Sequence, residues 1–261
     1  MKPKVTVVIA VYNGSSYVLQ AIRSILNQSY KQFEIIIVND NSTDNTKKII
    51  KNIKSSKIKL INLNKNLGPY KCLDIGFKKA RGKYIAILDS DDLAHRNRLS
   101  AQTKILDNDS GTALVASWYT KIDQKNKIIE KVKMPPSDKG LFDISFPCNN
   151  LICNSSVMFR KRILKKIKYF DNNFFYSNDY NFFLRVFVKY KIKVIKKFYV
   201  FYRVHDNQMS QSKKLIKIIC KENLKNLEWS KNHNLINRNN IFFYYKAYVK
   251  NYFKLLLNYS L

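Results

Sequence analysis

The stretch from Lys83 to Asp92 reads KYIAILDSDD. Its apolar first part predicts a short buried strand, and Asp89, Asp91 and Asp92 follow that strand directly. Ligands of open α/β sheets bind at the carboxyl ends of strands, where clustered carboxylates repel one another unless a cation is present. The stretch therefore indicates a Mg²⁺ or Mn²⁺ site shared with substrate phosphates. The alternative is a helix cap with first-turn acids before a helix over His95–Leu106.

Short apolar runs alternate with amphipathic helical patterns on both sides of this stretch. Apolar residues recur at helical spacing after Gly14 and after a Ser42 cap, and a third helix is predicted to begin at Pro69 and to end near Gly82. Alternation of this kind predicts an α/β fold with a mostly parallel, doubly wound sheet. The predicted strands are Val5–Val11, Phe33–Val38, Lys57–Asn62, Lys83–Leu88 and Thr112–Ser117.

A second acidic segment follows the predicted strand Phe33–Val38. It reads NDNSTD over residues 39–44, and Asp40 is its candidate to accept hydrogen bonds from a base or a ribose. An Asx-turn without a ligand is the alternative. The first strand adds Tyr12 at the same edge, so we expect the ends of three strands to converge there.

The chain is strongly basic. Its 48 Lys and Arg residues against 18 Asp and Glu residues give a formal charge of +30, which attracts polyanions, anionic lipids or phosphorylated substrates. A compositional bias toward Lys, Asn and Ile without any selected partner explains the charge equally well. Four cysteines without a C-x-x-C pair indicate a reduced, cytosolic setting and no metal role.

The second half of the chain is less regular. A loop is predicted over residues 133–138, then a strand over Ser155–Arg160, a helix over Ser177–Tyr190 and a strand over Lys193–Val204. From Ser212 the chain becomes helical, basic and aromatic. This tail either lies on an anionic membrane surface or packs as a helix with a solvated basic face.

No apolar run approaches the roughly 18 residues of a membrane span, and residues 5–11 are better interpreted as a buried strand than as a signal peptide. The expected protein is therefore soluble or peripheral. Three parts are predicted. Residues 1–110 are expected to bind a nucleotide, residues 111–211 are expected to bind a second substrate, the acceptor, and residues 212–261 form the tail.

Four motifs occur in a fixed order: VxVxIAVYNG from residue 5, EIIIVNDNSTD from residue 34, NLG from residue 66 and ARGKYIAILDSDD from residue 80. In this order and spacing they resemble the family 2 glycosyltransferases, which have the Rossmann-like GT-A fold. The resemblance covers residues 4–106 closely and residues 150–212 more loosely. It implies a cytoplasmic, inverting hexosyl- or N-acetylhexosaminyltransferase that uses a nucleotide-sugar donor, with a UDP-sugar as the donor expected by analogy.

The resemblance also implies roles for residues at the strand ends. Asp40 would contact the base and Asp89 the ribose, with Ser90 beside them, and the backbone near Ala10 and Tyr12 would complete the base pocket. Asp91 would hold a divalent metal, Mn²⁺ or Mg²⁺, which stabilises the charge of the departing nucleotide.

Further roles fall in the second half of the site. Asp179 matches the family's general base, which takes the proton of the attacking acceptor hydroxyl. The Glu that usually precedes this aspartate is Asn178 here. In the YRVH stretch that begins at residue 202, Arg203 is a candidate phosphate contact and His205 a candidate metal ligand.

One departure from the family pattern concerns the residues that would contact the diphosphate of the nucleotide-sugar donor. Relatives often carry A-R-N where this chain has Cys72-Leu73-Asp74, so Lys71 or Arg81 is expected to supply the missing positive charge.

Family analogy gives a surface polysaccharide or lipid-linked glycan as acceptor, at the inner face of the membrane. The rival from another class is a basic module that binds nucleic acid or membrane, because interleaved Tyr, Phe and Lys suit phosphate contact and base stacking. It leaves both acidic segments unexplained, so we expect no nucleic-acid partner. A sugar nucleotidyltransferase would need a glycine-rich basic loop after the first strand, which residues 11–16 lack. A catalytically inactive relative stays open.

Overall fold

The structure is a computed structural model that describes residues 2–135, 145–206, 208 and 213–257 of the 261. The described strands are β1 Val5–Val11, β2 Phe33–Asn39, β3 Ile58–Asn62, β4 Tyr84–Ile87, β5 Leu93–Ala94, β6 Thr112–Ile122, β7 Ile128–Val132, β8 Met158–Arg160 and β9 Lys191–Arg203. The described α-helices are α1 Val18–Leu26, α2 Thr46–Lys51, α3 Pro69–Lys79, α4 Arg98–Asn108, α5 Asn178–Lys189, α6 Lys213–Asn232 and α7 Ile241–Leu257.

One mixed sheet organises these elements. Its strand order is β3-β2-β1-β4-β8-β6-β9-β5, and β7 pairs with the far half of β6. Strands β3, β2, β1 and β4 run parallel, as do β6 and β9. The short strand β8 runs antiparallel between β4 and β6. The predicted α/β fold with a mostly parallel sheet is thus confirmed.

Both faces of the sheet are covered, which confirms the doubly wound arrangement. On one face, Val7 and Ile9 of β1 pack against the apolar sides of α1 and α4. On the other, Val8 packs against α3, and the same core continues to Phe182 of α5. Strands that are buried on both faces carry continuous apolar runs, as β1 and β2 do.

Several predicted boundaries are wrong by a few residues. Helix α2 begins at Thr46 instead of after Ser42, because the Oδ1 atom of Asp44 accepts the Thr46 N–H at 3.0 Å. Helix α4 begins at Arg98 because His95 still donates its backbone N–H to Tyr199 next to β5.

Two more differences concern the ends of predicted elements. Helix α3 begins at Pro69 as predicted, but it ends at Lys79, before Gly82. The strand expected over Ser155–Arg160 is regular only at Met158–Arg160. Of the loop predicted over residues 133–138, residues 133–135 have no regular structure and residues 136–138 lie outside the described residues.

The helical tail predicted after Ser212 is present as α6 and α7, and both helices pack on the rest of the fold. Leu227 of α6 forms a small core with Tyr244 and Ala247 of α7 and with Cys148. Among the described residues, no helix combines the length and the apolar composition that crossing a bilayer requires.

Candidate functional site

The carboxyl ends of β2, β1 and β4 lie side by side because these strands are parallel neighbours. Side-chain hydrogen bonds tie the first two ends together. Asn13, with a left-handed φ of 48°, accepts the Thr43 N–H at 2.8 Å and donates its own N–H to the Ser42 hydroxyl at 3.0 Å. The three segments that follow these strands, residues 10–14, 39–44 and 88–92, form what we call the acidic edge. The predicted convergence of the strand ends is thus observed.

Asp40 is buried at the acidic edge, with 2% of its surface exposed. Its two carboxylate oxygens accept the backbone N–H groups of Leu67 and Gly68, at 2.7 and 2.8 Å. Gly68 has φ of 85°, and a Cβ atom there would lie 2.9 Å from the Phe175 ring, so both the backbone angle and the contact require glycine. Asp40 therefore holds the NLG loop against the end of β2, and each of its oxygens retains a lone pair for a further donor.

Asp89 lies at the end of β4, next to two side chains from the turn before β8. Asn154 donates its side-chain amide to the Asp89 carboxylate at 3.0 Å, and the Ser155 hydroxyl accepts the Asp89 N–H at 2.9 Å. Burial, together with the nearby charge of Asp91, raises the pKa of Asp89 to about 7. A raised pKa of this kind marks a carboxyl group whose charge needs a partner.

Asp91 and His205 are brought together from distant parts of the chain. The Nε2 atom of His205 lies 3.0 Å from the Asp91 carboxylate, and the imidazole packs on the ring of Tyr17. Within residues 2–135, 145–206, 208 and 213–257 there is no group of three or more His, Cys, Asp or Glu side chains placed to hold a metal. One carboxylate and one imidazole still fit Mn²⁺ or Mg²⁺, which take few protein ligands and complete their shell with phosphate and water.

Arg203 has a different place from the predicted phosphate contact. It is fully buried, and its guanidinium donates to the backbone oxygens of Asp91 at 2.8 Å and Asp123 at 3.1 Å and to the Gln20 side chain at 3.0 Å. The guanidinium also stacks on Tyr17 at 4.6 Å. Arg203 is thus occupied within the protein and supports the Asp89–Asp92 turn from behind, which corrects the expectation that it faces the donor.

Asp92 is the third carboxylate of the acidic stretch, and it points inward. Its Oδ1 atom accepts the Arg203 N–H at 2.8 Å, whereas its Oδ2 atom has no hydrogen-bond partner in the described part of the chain. Burial and the neighbouring charges of Asp91 and Asp89 raise the pKa of Asp92 well above its usual range. Asp92 is fully buried whereas Asp89 and Asp91 are partly exposed, so Asp89 and Asp91 are the carboxyl groups that face the site.

Asp179 lies in the first turn of α5, across from the acidic edge. Its carboxylate accepts the Tyr180 N–H at 2.7 Å and lies close to the polar side chains of Tyr70 and Asn150, which lower its pKa. Burial outweighs these contacts and raises the pKa of Asp179 to about 6. The charge of Asp179 also contributes to the raised pKa of Asp89, so the fold brings the two carboxyl groups into one electrostatic environment.

Asn178 stands where relatives carry Glu. It is fully buried, and its hydrogen bonds explain why this position holds an amide. Its side-chain amide donates to the backbone oxygens of Asp171, at 2.8 Å, and of Phe174, and its oxygen accepts the Asp171 N–H at 3.1 Å. A carboxylate could not donate the two hydrogen bonds to carbonyls. The amide therefore fixes the loop before α5.

Two basic residues were candidates to replace the missing arginine. Lys71 is exposed on α3, with its amine 6.0 Å from the centre of the Phe170 ring. Arg81 pairs with Glu34 at 2.7 Å, beside Thr6 at the opposite end of β1 and β2. The expectation that Arg81 reaches a diphosphate is therefore wrong, and Lys71 stays a prediction.

The remaining predicted residues surround the open side of the acidic edge. Tyr12 is 50% exposed beyond the end of β1, and Ala10 is partly exposed in the strand itself. The Ser90 hydroxyl lies 3.5 Å from where a Cβ atom on Gly14 would stand. All three can be reached from solvent at the strand ends.

Sequence reasoning missed the side chains that surround Asp89 and Asp179, namely Tyr70, Asn150, Asn154, Ser155 and Glu222. No local pattern points to Tyr70 or Glu222, because their partners lie far away along the chain.

Taken together, the parallel strand ends, the carboxyl groups of Asp89 and Asp91 and the Asp91–His205 pair define an α/β fold with an acidic site at the ends of its parallel strands. The sequence profile described as glycosyl transferase family 2 matches residues 6–168. The chain belongs to this family and is a glycosyltransferase.

Two relatives cover most of the chain. A protein of Methanocaldococcus jannaschii described as an uncharacterized glycosyltransferase is 38% identical over 225 residues, which are 82% of this chain and 76% of the relative. An uncharacterized glycosyltransferase of Rickettsia typhi is 31% identical over 266 residues, with 96% of this chain and 83% of the relative covered.

Solved structures share the fold at low identity. The mannosyltransferase PcManGT from Pyrobaculum calidifontis, in complex with GDP-Man and Mn²⁺, has a TM-score of 0.72 at 15% identity, covering 100% of this chain and 74% of that one. S. aureus TarS 1-349 in complex with UDP-GlcNAc has a TM-score of 0.66 at 18% identity, covering 84% of this chain and 66% of that one. These likenesses confirm the GT-A fold.

Proposed function

We propose that this chain is an inverting, metal-dependent transferase that moves a hexosyl or N-acetylhexosaminyl group from a nucleotide-sugar, a UDP-sugar in the first instance, to an acceptor hydroxyl. The observation that supports this most strongly is the placement of Asp179, with a pKa raised to about 6, near enough to Asp89 for the charges of the two carboxyl groups to interact. A carboxyl group with such a pKa is largely ionised near neutral pH and is still basic enough to take a proton.

The acidic edge supplies the donor side of this reaction. Asp40, Asp89, Ser90, Tyr12 and the backbone at Ala10 are proposed to bind the nucleotide, and exposed Lys71 is the basic residue left to approach the diphosphate. A divalent metal held by Asp91 and His205 would neutralise the developing charge of the leaving diphosphate. The relatives with bound GDP-Man and UDP-GlcNAc share this fold, which supports a nucleotide-sugar donor.

The acceptor side is proposed to act in a single displacement. The acceptor oxygen attacks the anomeric carbon, the bond from that carbon to the diphosphate oxygen breaks, and Asp179 takes the hydroxyl proton. The Asp179 carboxylate is proposed to be kept in place by the Tyr180 N–H and by the neighbouring side chains of Tyr70 and Asn150. Because one attack occurs on the face opposite the leaving group, the product has inverted anomeric configuration.

A donor screen tests this proposal. Nucleotide release is measured from UDP-, GDP- and dTDP-sugars with Mn²⁺, with Mg²⁺ and with EDTA, since slow donor hydrolysis needs no acceptor. We expect release from one donor class that depends on the metal. Release that is equal in EDTA would contradict the role of the metal, and no release from any donor would support an inactive relative.

We further propose that the protein works on a lipid-linked acceptor at an anionic membrane surface, which it contacts through α7. The exposed side chains of α7 recur at helical spacing and include Phe242, which is 71% exposed, and Phe253. The lysines Lys246 and Lys250 are exposed next to this stripe. An apolar stripe flanked by cations is typical of helices that lie in the headgroup region of anionic bilayers.

Liposome sedimentation tests this surface. A triple variant with Phe242, Tyr245 and Phe253 changed to Ser is expected to lose binding to vesicles that contain phosphatidylglycerol and to keep its fold. Truncation before Ser212 is unsuitable because α6 and α7 pack on the rest of the chain. Equal sedimentation of the variant and the wild type would contradict the membrane role.

A further inference from the structure

Glu222 of α6 makes an unusual set of contacts with the segment before α5. Its side chain is buried, with 5% of the residue exposed. Its two carboxylate oxygens accept three consecutive backbone N–H groups, those of Phe175 at 2.6 Å, Tyr176 at 2.7 Å and Ser177 at 2.8 Å. Hydrogen bonds from N–H groups to an ionised carboxylate are roughly twice as strong as neutral ones. One side chain of α6 thus fixes three residues of the loop that leads into α5.

These contacts lie just before the helix cap, because the N–H groups that Glu222 binds precede α5 and do not belong to its first turn. The first N–H groups of a helix lack partners within it, and a Ser at the cap position normally accepts one of them. Ser177 precedes α5 but makes no such bond; its hydroxyl lies 3.1 Å from the Asn223 side chain instead. Asn226 adds contacts one turn further along α6, to the Ser177 carbonyl at 3.3 Å and to the Asn181 side chain at 3.0 Å.

The segment that Glu222 holds is directly joined to Asp179. Asp179 follows Ser177 by two residues, in the first turn of α5. The Tyr70 hydroxyl, which also contacts Asp179, donates to the Tyr176 carbonyl at 2.8 Å. Movement of residues 175–177 would therefore shift both the Asp179 backbone and the Tyr70 side chain next to its carboxylate.

We propose that Glu222 is a positioning residue for the transfer reaction: it clamps residues 175–177 so that Asp179 faces the acidic edge. This inference rests on the proposed function of Asp179 as the base. It gives the helical tail a catalytic purpose, since the clamp comes from α6, 45 to 47 residues beyond the segment that it holds. A positioning error of about 1 Å can reduce a rate by about 100-fold, so the clamp is worth a large part of the activity.

The test compares Glu222→Gln with Glu228→Gln, an exposed glutamate on the same helix. Amide hydrogen exchange over Phe175–Ser177 is measured together with the kcat of transfer and the Kd of UDP in the full chain. For Glu222→Gln we expect faster exchange at these amides and a kcat lower by about 10- to 100-fold, with the Kd of UDP within about threefold. Glu228→Gln is expected to match the wild type in all three.

A second measurement distinguishes a positioning role of Glu222 from a purely structural one. In the Asp179→Asn background, Glu222→Gln should lower kcat by less than about twofold further, because a residue that acts only through Asp179 has nothing left to position. A further loss equal to that in the wild-type background would overturn the proposal. If Glu222→Gln does not fold, Asn223→Ala removes the contact with the Ser177 hydroxyl, and we expect it to lower kcat by about three- to tenfold. Asn251→Ala removes the other side-chain partner of Asn223 and is expected to leave kcat unchanged.

The outcomes distinguish this inference from the proposed function. A wild-type kcat in Glu222→Gln, despite faster exchange at residues 175–177, would overturn the positioning role and leave the proposed function intact. Unchanged exchange would show that the three hydrogen bonds are not made in solution. A failure of the proposed function would look different, because the wild type and Glu228→Gln would then both lack transfer.

Discussion

The acidic edge and the Asp179 loop are built in different ways. The acidic edge follows from three neighbouring parallel strands, and each of its carboxyl groups comes directly after a buried apolar run. Asp179 instead depends on Tyr70, Asn150 and Glu222, which come from other parts of the chain. The neighbouring strands therefore bring the acidic edge together, whereas the loop that leads to Asp179 also contacts the helical tail through Glu222. A substitution in each region should reveal this difference.

The largest effect is expected on the Asp179 side. Asp179→Asn keeps the shape of the side chain but removes the proton acceptor, so turnover should fall by about 10²- to 10⁴-fold while donor affinity stays nearly unchanged. Steady-state transfer rates and UDP titration calorimetry measure the two quantities. A variant that keeps near-normal rates would remove Asp179 from the role of base.

A smaller effect, confined to the acidic edge, is expected for Asp91→Asn. Loss of a carboxylate ligand should weaken Mn²⁺-dependent donor binding by about tenfold or more and leave binding in EDTA as it was. Calorimetry with and without Mn²⁺ measures this change. Asp74→Asn on α3, which removes a carboxylate paired with Lys78, is the matched control. Equal weakening with and without the metal would contradict metal ligation by Asp91.

Asn178→Asp tests the loop before α5 without touching the acidic edge. The aspartate cannot donate to the Asp171 and Phe174 carbonyls, so unfolding free energy should fall by about 1–3 kcal/mol. Urea denaturation measures the change. A stability equal to that of the wild type would show that the amide hydrogen bonds contribute little.

The smallest effect is expected for Arg81→Gln. Arg81 pairs with Glu34 at the end of the strands opposite the acidic edge, so the Kd of the donor should change by less than about twofold. Donor calorimetry is again the measurement, with Lys71→Gln as the comparison. A clear loss of donor affinity in Arg81→Gln would contradict the position of this residue.

Much of the donor side can be predicted from the sequence because its signals are local. The strands before Asp40 and Asp89 are apolar runs of the expected length, and the topology that joins them is common to parallel sheets. Long-range partners give no such signal. Nothing in the sequence around Arg203 shows that its guanidinium is taken up by Gln20 and by backbone oxygens, and the resemblance to relatives suggested a phosphate instead.

The contacts of the helical tail could not be predicted from its sequence either. Its aromatic and basic composition was compatible with a membrane surface and with packing, and α7 has both an exposed stripe and a buried side at Tyr244 and Ala247. The contact of Glu222 with residues 175–177 depends on how α6 packs, which periodicity cannot specify. The boundaries predicted at residues 110 and 211 stay predictions.

The most direct test of the central claim is the pH profile of kcat/KM for wild type and Asp179→Asn. Since the base must be ionised, a raised pKa of about 6 predicts that wild-type activity is constant above that pH and falls about tenfold per unit below it. The account predicts that this limb disappears in Asp179→Asn. A limb that persists unchanged in the variant would assign the proton to another group.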